Sequence, residues 1–337
     1  MRPPYPATLV PLFPQFLQRR NTKLDFPLRA TERHGIDRPA YLFVVQSLGF
    51  ADPDGATLPQ LGNTYATVHS GLQAAAATAQ GAALVTHAGD RWSLTERGRR
   101  LLDEHRQAVA AYQANLAPID RAELGRVAAL LERAFTAGAA APEPATRPRT
   151  PRAQRYRWSP PTSELAQLDQ AVFGLWQIRD DCHIQAWTDV GLGAPVLDLL
   201  TRLWRGEAAS TEDLAAIVTG QHPTDIAAGV ATLRARGLLD QGTLALTPEG
   251  RALRERIERE TDRYFYGPWP DEVGAEAAWL EDALGRTNAA LAERRPLRAD
   301  RCNDWHASCL ASLHDDRSRD AGRGADRRDR GPGTGGR

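Results

Sequence analysis

Leu94-Thr95-Glu96-Arg97-Gly98-Arg99 and Leu246-Thr247-Pro248-Glu249-Gly250-Arg251 are near-copies of one another, one in each half of the chain. Both read as the start of a helix. Threonine is a good N-cap, since its hydroxyl accepts from the free N–H groups of the first turn. Pro248 stands where proline suits the first helical position. Reading backwards from Leu94 gives Arg91-Trp92-Ser93-Leu94 and Ala83-Leu84-Val85 as short extended pieces, with His87-Ala88-Gly89-Asp90 as their turn. An alanine-rich helix over about 67–80 precedes them, ended by Gly81, and alanine has the best helix propensity. A short helix over 58–64, the turn Asp52-Pro53-Asp54-Gly55 and an apolar helix with Tyr41, Leu42, Val44, Val45 and Leu48 complete the set.

The same order leads back from Leu246. Leu238-Leu239 and Thr243-Leu244-Ala245-Leu246 flank Gln241-Gly242, a two-residue hairpin signal. Before them a helix carries Ile226, Val230 and Leu233 at i, i+4 and i+7. Ser210 caps a short helix with Asp213 three residues on, a variant of the capping box. Two more helices are marked by Val196, Leu199, Leu200 and Leu203, and by Leu165, Leu168, Val172, Leu175 and Trp176. Helix, helix, strand, turn, strand, helix is the winged-helix order. The expected fold class is therefore mainly α with small β-wings, in tandem winged helix-turn-helix modules. Their limits are read as 37–136 and 162–297, after a basic extension over 1–36.

Residues 137–161 separate the modules. Arg147, Arg149, Arg152, Arg155 and Arg157 stand there among prolines with little to bury, which predicts an extended, solvated linker. Residues 298–337 lose helical periodicity to Arg, Asp and Gly, which predicts disorder and raises a shifted reading frame as the origin of the change. Cys302, His306, Cys309 and His314 lie in that tail without the spacing of a CxxC zinc site, so no metal is expected. No cofactor is expected either, as no phosphate loop, nucleophile elbow or dinucleotide fingerprint occurs. The 337 residues carry zero formal net charge and three cysteines. Those numbers, with no apolar run of about 18 residues, point to a cytoplasmic protein outside the membrane.

The run Leu94-Thr95-Glu96-Arg97-Gly98-Arg99-Arg100-Leu101, followed by Leu116-Ala117-Pro118, resembles the wing and C-terminal helices of MarR-type regulators. The second half resembles the actinobacterial SalK-type helix-turn-helix proteins. It does so through Arg179-Asp180-Asp181-Cys182-His183-Ile184-Gln185-Ala186, Val230-Ala231-Thr232-Leu233-Arg234-Ala235-Arg236-Gly237-Leu238-Leu239-Asp240 and Ile257-Glu258-Arg259-Glu260-Thr261-Asp262. That group's His-Arg-Gly-Asp-Gly-His pattern is matched at Arg179, Asp181 and His183. Ile178 replaces its leading His, and Asp180 and Cys182 replace its glycines.

Two functions follow as expectations. The first is a MarR-like regulator of transcription binding double-stranded DNA, since the second helix of a helix-turn-helix enters the major groove. Its candidate contacts are Thr67, His69, Ser70, Gln73 and Arg91 in the first module, and Thr224, Arg234 and Arg236 in the second. Asp225 repels phosphate, so the first module is the better reader, and the linker arginines could add an electrostatic arm. Long helices over about 96–116, 119–136 and 248–266 are candidates for a homodimer. The alternative is a SalK-type accessory or enzymatic protein of secondary metabolism that binds a small molecule or effector at Arg179, Asp181 and His183. Against it, Asp181 reads as an N-cap with His183 in the first turn behind it. An enzyme is the less expected of the two readings.

Overall fold

A computed structural model describes residues 5–6, 8–157 and 159–293. It is mainly helical, with one small antiparallel sheet among the described residues. The first half contains α1 (Leu9–Arg19), α2 (Phe26–His34) and α3 (Arg38–Leu42). α3 tightens and widens as it continues, through a π turn at Phe43–Ser47 and a 3-10 turn at Leu48–Phe50. Then come α4 (Leu58–Leu61), α5 (Ser70–Gly81), β1 (Val85–Ala88), β2 (Arg91–Leu94) and α6 (Glu96–Ala114). Tyr41, Phe43, Val44, Leu48, Leu72, Ala76, Leu84, Trp92 and Leu101 fill its core. The first strand begins later than the letters suggest. Ala88 pairs with Arg91, leaving Gly89-Asp90 as a two-residue turn with Gly89 at φ 64°. Ala56 bridges Trp92 from the other side and widens the wing.

The chain goes on through α7 (Arg121–Ala140), α8 (Thr150–Tyr156), α9 (Glu164–Asp189), α10 (Ala194–Trp204), α11 (Thr211–Ile217), α12 (Pro223–Ala235), α13 (Pro248–Tyr266), α14 (Asp271–Ala275) and α15 (Ala277–Glu293). Leu197, Leu199, Leu200, Leu214, Ile226, Leu233, Leu239 and Ile257 form a second core. The Gln241-Gly242 hairpin is not formed. Leu239 bridges Leu246, Asp240 N donates to Ala245 O at 3.0 Å, and the loop between them spans 241–244. The Asp240 carboxylate organises that loop by accepting from Gly242 N, Thr243 N and the Thr243 hydroxyl.

The repeated motif has the same atomic job in each half. Thr95 accepts from Gly98 N at 3.1 Å and donates its hydroxyl to Ala83 O at 2.8 Å. Thr247 accepts from Gly250 N at 3.0 Å and donates to Gly237 O at 2.7 Å. A Cβ on Gly98 would overlap the carbonyl oxygen of Leu84, and one on Gly250 that of Leu238. The accepting residues also match: Ala83 (φ 57°) and Gly237 (φ 69°) both stand in the left-handed region.

A third core interlaces the halves. α7 packs along α9, and α1 packs on α15 and α9. Leu9, Val10, Phe13 and Phe16 of α1 join Leu124, Val127 and Leu131 of α7, Leu168, Val172 and Leu175 of α9, and Leu280 and Leu284 of α15. Each such side chain contributes roughly 1.5–3 kcal/mol on burial. The apolar faces of 119–136 and 248–266, expected to meet a second copy, are covered within the chain. At its centre Asp169 pairs with Arg20 at 2.5 Å and accepts from the Tyr156 hydroxyl and Gln113 Nε2. That carboxylate ties together α6, α8, α9 and the end of α1.

The arginine-rich stretch is not a free spacer. It holds the end of α7, then α8, and its arginines are spent on the protein. Arg147 donates to the carbonyls of Gly138, Ala139 and Pro144, closing the C-terminus of α7. Arg155 donates to Phe50 O, Arg152 stacks on the Phe50 ring, and Arg157 forks onto Glu132 at 2.7 and 2.6 Å. Among the described residues no helix is long and apolar enough to cross a membrane, and no His, Cys, Asp and Glu cluster could hold a metal. The expectations for the tail, Cys302 and Cys309 included, lie outside the described residues.

Candidate nucleic-acid interface

α4 and α5 in the first half, and α11 and α12 in the second, are two pairs of consecutive helices, a shorter one followed by a longer. Thr57 and Ser210 begin the leading helix of each pair with a reciprocal capping box, completed by Gln60 and Asp213. Leu72, Ala75, Ala76 and Ala79 bury one face of α5, and Ile226, Gly229, Val230 and Leu233 one face of α12. The opposite faces are exposed.

Ser70 and Gln73 are exposed on the first turn of α5. His69 stands just before it, half-buried, its ring against Gly62. Arg91 is exposed at the start of β2 and leans back on the preceding turn, donating to Gly55 O at 2.7 Å. In the second half the Thr224 hydroxyl meets His222 Nδ1 at 2.8 Å. Arg234 folds onto the loop carbonyls of Asp240 and Thr243. Arg236 donates to Val190 O and Gly191 O at 2.9 Å each, closing the end of α9. α5 carries no Arg or Lys, and α12 only Arg234 near its end.

Thr67 does not stand free. Its hydroxyl donates to Asp225 Oδ2 at 2.6 Å and accepts from His222 N at 3.1 Å. Gly220 O accepts from Thr67 N at 2.8 Å and Val68 N at 3.0 Å. Tyr65, two residues earlier, is buried in the second core. The two exposed helix starts therefore touch, through Asp225, Gly220 and His222, which no local pattern in the sequence singles out for this purpose.

The polar residues proposed for a ligand divide. α9 runs unbroken through 179–183, so Arg179 and His183 share a face, with Trp187 one turn further. Asp181 faces elsewhere. It accepts from Arg149 N at 2.7 Å and from Thr150 N and hydroxyl at 2.8 and 2.7 Å, capping α8 rather than its own helix. Arg179 donates to Glu258 and Asp262 of α13 at 3.3 Å each. His183 Nδ1 lies 3.0 Å from the Thr261 hydroxyl, which itself donates to Ile257 O at 2.8 Å. The hydroxyl proton is thus spent, so His183 donates through Nδ1 and Nε2 keeps its lone pair. Burial pushes His183 down to about 3 against the pull of Glu258, keeping it neutral. Burial also raises Asp180 to about 6 and Cys182 to about 12. Arg179 Nε and Nη1, His183 Nε2 and Trp187 Nε1 are buried without hydrogen-bond partners.

A short helix followed by a longer one with an exposed face is the element pair of a helix-turn-helix. A model described as a helix-turn-helix family matches residues 62–298, and the chain belongs to that family. The match starts between α4 and α5 and extends past α15. No curated protein and no solved structure matches.

Proposed function

We propose that the protein is a DNA-binding transcriptional regulator acting in the cytoplasm, built from tandem winged helix-turn-helix modules of MarR-like type. The exposed first turn of α5, with Ser70 and Gln73 beside the Arg91 wing, carries this reading, and membership of a helix-turn-helix family supports it. α5 reads base edges, while Arg91 swings from Gly55 onto a phosphate. The apolar faces of α7 and α13 are covered within the chain, so a second copy is not needed to bury them. Fluorescence anisotropy with mixed-sequence duplex DNA over a salt series tests this. Binding should weaken steeply with salt, with Arg91→Ala lowering the log–log slope by about 1. A folded protein that shows no binding at low salt defeats the proposal.

A second reading rests on the unpartnered polar atoms of Arg179, His183 and Trp187. Buried polar groups are normally satisfied, so these fit a small effector with acceptors for the arginine and indole and a donor for Nε2, as in a hydroxy acid. A thermal-shift screen of hydroxy acids tests it: a rise in Tm that vanishes in His183→Phe supports the site, and no rise across the screen removes it.

A further inference from the structure

Winged modules that read one face of a duplex present their helix starts to successive major grooves, about 34–36 Å apart. Here the starts of α5 and α12 are in hydrogen-bond contact through Thr67, Val68, Gly220, His222 and Asp225. The two cannot occupy successive grooves in this arrangement. The contact ties up polar groups of the segments that lead into both helices. The backbone N–H groups of Thr67 and Val68, in the loop before α5, are given to Gly220 O, and that of His222, the N-cap of α12, to the Thr67 hydroxyl. The Asp225 carboxylate sits in the same place, where its charge opposes a phosphate. Tyr65 anchors the joint from behind by its burial in the second core.

We propose that this joint is an autoinhibitory clasp. The closed arrangement binds DNA weakly, and DNA selects an open one in which residues 63–68 have left the second half. Opening frees three backbone donors and a hydroxyl at one stroke and separates the two reading helices. Any ligand that binds one arrangement better shifts the balance between them. The proposal rests on the DNA-binding reading above and adds to it the switch that governs it.

The geometry supplies its own lock. A Cβ on Gly220 would lie 3.2 Å from Ala66 Cβ, close to the 3.5–4.5 Å spacing of a disulfide. Gly220 is outside the left-handed region, so a side chain is tolerated there. The Ala66→Cys/Gly220→Cys protein, with Cys302→Ser and Cys309→Ser to remove competing thiols, is titrated with mixed-sequence duplex DNA oxidised and reduced. Cys182 is buried and does not compete. The clasp predicts at least tenfold weaker binding when oxidised, recovered on reduction. Equal binding in both states overturns it. Thr67→Val gives a second test that needs no cross-link. As a clasp residue its loss raises affinity several-fold, and as a DNA contact its loss lowers it, so a fall overturns the proposal. If no form binds DNA, both the DNA reading and the switch fall. Slow hydrogen exchange at the Thr67 and Val68 amides would then mark the joint as a fixed structural contact.

Discussion

The strand pair that leads into α6 and the loop that leads into α13 start from the same joint and end differently. Thr95 over Gly98 and Thr247 over Gly250 make matching caps on matching carbonyls. From there β1 and β2 pair along four residues, while the loop before α13 keeps a single bridge, Leu239 to Leu246, and relies on the Asp240 carboxylate. What is common is the junction where each meets its helix. Backbone presses on backbone there, and only glycine fits. What differs is the loop, which needs only some means of satisfying its own N–H groups.

The strongest way to break the comparison is at the shared junction. Gly98→Ala and Gly250→Ala should each cost about 3 kcal/mol, because the added methyl meets a carbonyl that cannot retreat. Urea unfolding monitored by circular dichroism checks this. If one half tolerates the change by more than about 1.5 kcal/mol over the other, the junctions are not equivalent.

Acid sharpens it next, since each half holds one histidine whose ring meets a hydroxyl and whose charged form is disfavoured. His105 accepts or donates at the Tyr41 hydroxyl, 2.6 Å away, and burial holds it down to about 4. His183 is held at about 3. For both, the folded value lies below the unfolded one of about 6.5. Their contribution is full above that value and is lost as pH falls through 6.5 towards 4 and 3. Asp180 runs the other way: raised to about 6, it favours the fold below 4 and loses that contribution as pH rises through 6. Chemical-denaturation curves between pH 5 and 7 should therefore be flatter in His105→Gln and His183→Gln than in the parent. The difference should approach about 1.4 kcal/mol per pH unit for each histidine. Asp180→Asn should steepen the acid loss instead.

The smallest effects belong to the loops. Asp240→Ala removes three hydrogen bonds from an exposed loop and should lower the melting temperature more than Asp90→Ala between the paired strands. Gly237→Ala should cost about 1 kcal/mol, whereas Ala83→Gly, already at a positive φ, should gain a few tenths. Thermal melts of the four variants rank them. Equal losses at Asp90 and Asp240 would remove the distinction between the loops.

Much of this was legible in the letters. Thr95, Thr247 and Ser210 cap the helices they announce, because capping is a contact between near neighbours in the chain. Destinations over long range were not legible. Asp181 does the chemistry of an N-cap, but for α8 and not for its own helix. The arginines of 147–157 look solvated beside their prolines, yet they close α7 and bind Phe50 and Glu132. Gln241-Gly242 suggested a tight hairpin, and Asp240 one residue earlier set a longer loop. For the candidate interface, Ser70 and Gln73 emerged exposed on a helix start, as their pattern implied. Thr67 could not reveal its partner, because Gly220 and Asp225 lie in the other half and share no periodicity with it.

The packing of α1 on α15 sets an order on synthesis. Of the described elements, α1 leaves the ribosome first and α15 last. Leu9, Val10, Phe13 and Phe16 therefore wait, uncovered, while nearly all of the intervening chain is made. The first wing and its helices can close early on their own core, but the first helix of the same half cannot. Nascent chains stalled after α13 should expose an apolar helix to chaperones, and that exposure should end only when α15 emerges.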